Sequence, residues 1–141
     1  MHPAAPMLAP ALALVLWSFV MFFWMYATRI PAIVRQRMRM DPRAPRGAQM
    51  SELPAEVRWK ADKNNHLFEQ PTLFYAVAIA LAVLGDVSWW SVALAWTYVA
   101  IRVVHSVWQA LVNQIMVRFA IFSISGLVLL ALSIRAALQV F

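Results

Sequence analysis

Glu69 stands in the first turns of a long apolar run, directly after the polar segment Asp62-Lys63-Asn64-Asn65-His66. A carboxylate that close to hydrocarbon is costly unless it has a partner, which makes it a functional-site candidate by default. Groups able to answer it recur downstream as Arg102, His105, Ser106, Gln109 and Asn113, followed by Arg118. Spacings of three, four and seven put the first five on one stripe of a helix. Such a stripe cannot face lipid cheaply, so it must face the bundle interior or a watered cavity. A Glu69–Arg102 pair would lock two helices together, each intramembrane polar contact contributing only about 1 kcal/mol. One carboxylate cannot also satisfy Arg118, two histidines and three amides. The surplus is cationic and donor-rich, which suits a small anionic ligand bearing carboxylates.

Other chemistries are poorly served. His66 and His105 with one glutamate on different helices make a weak ligand set, so no metal is expected. The chain has no cysteine, which removes disulfides, thiolate metal sites and a protein thiol nucleophile. Ser123, Ser125 and Gly126 are small residues that let helices approach closely. A catalytic serine there has no evident base, and there is no glycine-rich phosphate loop.

The elements that must position these residues follow from composition. Of 141 residues, 63% are hydrophobic and only 13% charged, with a mean hydropathy of +0.68. Soluble domains average about 45–50% apolar and about 25% charged residues, so this is a membrane protein, long enough for one compact bundle. Four apolar runs predict four transmembrane helices over about 7–28, 64–84, 89–110 and 116–136. Each is close to the roughly 20 residues that a helical crossing takes. None alternates as the strands of a barrel would. The first run lacks the basic start of a signal peptide and ends in Trp24, Tyr26 and Arg29, so it is read as a retained helix.

Between them, residues 29–63 form a basic loop holding nine of the twelve lysines and arginines. Flanked by apolar runs, they read as a topology signal rather than a nucleic-acid surface. The positive-inside rule puts this loop in the cytoplasm and both termini on the other side. All the polar candidates then gather at the cytoplasmic face. Within the loop, Ser51 is expected to cap a short helix with Pro54 in its first turn.

Two segments, Asn65 to Tyr75 and Tyr98 to Ser106, together with Arg118-Phe119, resemble the MAPEG superfamily (membrane-associated proteins in eicosanoid and glutathione metabolism), and most closely its bacterial members. The resemblance covers nearly the whole chain as a single domain, 1–141. It implies a homotrimer in the bacterial inner membrane, with glutathione as co-substrate between neighbouring subunits near the cytoplasmic face. Carried over by position, Asn65, His66 and Glu69 would hold the peptide's polar ends. Arg102, His105 and Gln109 would belong to the same pocket, and Arg118 would approach the thiol as the catalytic group. Gln109 stands where a tyrosine is common in the eicosanoid enzymes, and Phe119 where some enzymes carry serine.

The activity this implies is a glutathione-dependent transferase or peroxidase acting on hydrophobic electrophiles or lipid hydroperoxides. A non-enzymatic lipid-binding or scaffold protein on the same fold is the alternative, and glutathione binding in detergent discriminates the two. A small proton-coupled transporter would need a carboxylate deep in the first helix, and this first helix has none.

Overall fold

The computed structural model describes residues 3–38, 41, 43, 45, 48–66 and 70–141, without the side chains of 63–66. The described residues form five α-helices and one short 3₁₀ turn, with no strand among them. Helix α1 spans Ala5–Arg35, the 3₁₀ turn Gln49–Glu52, α2 Ala55–His66, α3 Gln70–Val83, α4 Trp89–Leu111 and α5 Ile115–Val140. Three of them, α1, α4 and α5, are long and apolar enough to cross a membrane.

Pro6 opens α1, where its missing N–H costs nothing. Met7, Pro10, Ala11, Leu14, Met21 and Met25 form its buried stripe, while Leu12, Leu16, Phe19 and Phe23 point outward. An apolar outer face of this kind is what a lipid-facing helix requires. The helix does not stop where its charge-free run ends at Thr28, but continues to Arg35. It closes with Arg37 in the left-handed region, its N–H bonded to Val34 O and that of Met38 to Ile33 O.

Helix α4 lies against α1, α2 and α5, and α3 lies against α1 and α5. Met7, Leu14, Phe74, Ala78, Leu81, Ala95, Tyr98 and Leu132 form the common core, in which the Phe74 and Tyr98 rings stack at 4.5 Å. The α3–α4 connection is a Schellman turn. Gly85 at φ +76° lets its own N–H reach Ala82 O and that of Asp86 reach Leu81 O.

Of the helix expected over 64–84, the described residues form the end of α2, to His66, and α3 from Gln70, and residues 67–69 lie outside them. At about 1.5 Å per residue, the 14 residues of α3 rise only about 21 Å. One expectation changes: Ser51 does not cap a helix. Its hydroxyl donates to Ala48 O at 2.5 Å, and α2 begins only after Pro54, whose carbonyl accepts from Val57 and Arg58.

Candidate functional site

The polar stripe is where its spacing put it. Arg102, His105, Ser106 and Gln109 are all buried on α4. Arg102 Nη1 donates to Gln70 Oε1 at 3.2 Å, and Ser125 Oγ donates to the same oxygen at 2.9 Å. Gln70 thus joins α3, α4 and α5. The Gln70 amide nitrogen lies 3.1 Å from where a Cβ at position 126 would sit, so Gly126 leaves the room it uses. Sequence reasoning passed over Gln70, whose neighbour Glu69 held the attention. Ser106 Oγ turns back to Arg102 O at 2.6 Å, and the His105 ring packs 6.3 Å from that of Phe122.

Gln109 differs from its neighbours. It is fully buried, and neither its amide oxygen nor its nitrogen has a hydrogen-bond partner among the described residues. Leaving a buried polar group unsatisfied costs about 1–3 kcal/mol. Beyond it the stripe ends at Asn113, in the left-handed region at φ +52°. The Asn113 Oδ1 accepts from Arg118 Nη1 at 2.9 Å. That bond fixes the half-buried Arg118 in the first turn of α5. The side chains of Asn65 and His66, and Glu69 altogether, lie outside the described residues.

An open cavity of about 840 Å³ adjoins the end of the stripe. Asn113 lines it, together with residues of α1, the 3₁₀ turn and α2, while Arg102, His105 and Gln109 do not.

A second polar cluster lies at the α3–α4 turn, where the sequence offered Asp86 alone. Asp86 Oδ1 accepts from Ser88 N at 2.9 Å. Asp86 Oδ2 accepts from Ser91 Oγ at 2.5 Å and Gln139 Nε2 at 2.7 Å. From the far end of α5, Arg135 donates to Ser91 Oγ at 2.7 Å and Ser88 Oγ at 3.1 Å, and stands 3.6 Å from the carboxylate. Burial pushes the Asp86 carboxyl up. The hydrogen bonds from Ser88, Ser91 and Gln139 outweigh it and hold the group well below the usual carboxylate range.

No group of three or more histidines, cysteines or carboxylates is placed to hold a metal among the described residues. The described residues thus form a polar stripe inside long apolar helices that ends at a tethered arginine. Comparison with family models decides the matter, matching the MAPEG family over residues 7–138. This chain belongs to the MAPEG family. Searches of curated proteins and of solved structures gave no match. Membership makes the chain an integral membrane protein of a generally trimeric, glutathione-associated family, with its long helices in contact with lipid.

Proposed function

We propose that this MAPEG protein is a glutathione-dependent membrane enzyme, a transferase or peroxidase acting on hydrophobic electrophiles or lipid hydroperoxides. The observation that carries this reading is the buried Gln109 amide with both ends unbonded, one turn beyond His105 on the stripe that runs on to Asn113 and Arg118. Glutathione is a peptide of donors, acceptors and carboxylates, and its entry would satisfy an amide that the described residues leave bare. The free thiol has a pKa of about 8.5, and a neighbouring guanidinium favours the thiolate that attacks an electrophile. Arg118 has Nη1 committed to Asn113, which holds the group in place for that role. The N-terminal end of α5 adds its dipole in the same sense.

In this reading Asn65, His66, Glu69, Arg102, His105 and Gln109 hold the peptide, and the site is completed between subunits of a homotrimer. The chain crosses the bacterial inner membrane four times, α3 being the shortest crossing. Residues 29–63 lie in the cytoplasm and both termini lie opposite. A lipid-binding or scaffold role is favoured by one observation: Arg102, His105 and Gln109 are at most 2% exposed.

The test is thermal unfolding of the detergent-solubilised protein against increasing glutathione. A ligand that binds only the folded state adds about 2.7 kcal/mol of stability at a hundredfold excess over its Kd. A saturable upward shift, lost in Arg118→Ala together with thiolate absorbance, is expected. No shift in the intact oligomer would leave the lipid-binding reading.

A further inference from the structure

The 840 Å³ cavity has chemistry of its own. Arg29 of α1 and Arg58 of α2 line it, along with Asp62 and Asn113, while Phe22 and Met25 supply apolar wall. Neither guanidinium has a hydrogen-bond or ion-pair partner among the described residues. The walls are tied to each other, since the Lys60 ammonium of α2 sits 5.7 Å from the ring centre of Trp24 on α1.

Its depth follows from the sequence of α1. The charge-free run ends at Thr28 and Arg29 is the next residue, with Trp24 and Tyr26 just before. Aromatic side chains of this kind mark the boundary between hydrocarbon and water. A ligand spanning the cavity therefore has its apolar end beside Phe22 and Met25 and its polar end beside the two arginines. Two guanidiniums against one carboxylate favour an anion, and a guanidinium matches the oxygens of a phosphate group in paired hydrogen bonds. Asp62 and Asn113 are placed to accept from hydroxyls. The volume falls within the range of about 300–1,000 Å³ of small-molecule pockets and exceeds what a lone phosphate fills.

We propose that this cavity binds an anionic glycerophospholipid, its phosphate held by Arg29 and Arg58 and its headgroup hydroxyls by Asp62 and Asn113. The cavity meets the α4 stripe only at its last residue, Asn113, and the proposal does not depend on the chain using glutathione.

Native mass spectrometry of the full chain in detergent tests it, with phosphatidylglycerol and phosphatidylcholine of equal chain length, inorganic phosphate and glutathione as probes. Phosphatidylglycerol should be retained selectively. Arg58→Gln, on an exposed residue, should weaken retention by about tenfold with the unfolding temperature unchanged. Arg29→Gln should act in the same direction. Equal retention of the two lipids, or no loss in Arg58→Gln, overturns the proposal. Displacement by inorganic phosphate at equal concentration would make the cavity a site for free anions and overturn it as well. Displacement by glutathione would assign the cavity to that peptide instead, which also overturns the lipid proposal and leaves the glutathione reading standing.

Discussion

Two polar clusters sit in the same apolar bundle and are built on opposite plans. At the α3–α4 turn, Asp86 accepts from Ser88, Ser91 and Gln139 while Arg135 closes the ring. Around Gln109 on α4, an amide is buried with neither end bonded to a described residue. The first cluster is complete within the chain and asks nothing of a ligand. The second is incomplete, and in a medium without water an incomplete polar group is either a defect or a receptor. The difference teaches that polarity inside a membrane bundle does not by itself mark a site. What marks it is hydrogen-bonding capacity left over after the chain has met its own needs.

Breaking the closed cluster should give the largest effect. Asp86→Ala strands Ser91, Gln139 and the Ser88 N–H, and should destabilise the fold by about 2–3 kcal/mol. Denaturation in detergent reads this, and glutathione affinity should be unchanged. Acid offers a milder route to the same end. Because the Asp86 carboxyl is held below its ordinary range, the unfolded chain takes up its proton more readily than the folded one. The cluster's stabilisation is therefore fully present above about pH 4, the range of a free carboxylate, and declines as pH falls further. Unfolding temperatures should drop over that acid range in the native protein and less so in Asp86→Asn.

The open cluster should respond with the opposite sign. Gln109→Leu replaces an unsatisfied amide by hydrocarbon of similar size, and should leave stability unchanged or raise it by about 1 kcal/mol. The same variant should weaken any glutathione-dependent shift. A loss of stability comparable to that of Asp86→Ala would erase the distinction between the clusters.

The sequence carried the α4 stripe well, because three- and four-residue spacing in an apolar helix is a local signal. It carried Gln70 poorly. The partners of Gln70 are Arg102 and Ser125, and no periodicity links residues on three different helices. The Asp86 cluster was missed for the same reason, since Arg135 and Gln139 sit at the far end of the chain. The cavity escaped notice because its walls come from α1, the 3₁₀ turn and α2, and the basic composition of residues 29–63 read only as topology. Helix α1 was seen as a span, and its continuation to Arg35 follows the alternation of basic and apolar residues after Arg29. The MAPEG resemblance held over nearly the whole chain.

The uninterrupted length of α1 has a mechanical consequence. Its 31 residues rise about 46 Å at 1.5 Å per residue, against a hydrocarbon thickness of about 30 Å. The helix is longer than a perpendicular crossing needs, and α2 packs against it with Lys60 over the Trp24 ring. In a thinner membrane a rod of this kind answers mismatch by tilting. Because α2 packs against α1, such a tilt carries Arg29 and the cavity that it lines along with the helix.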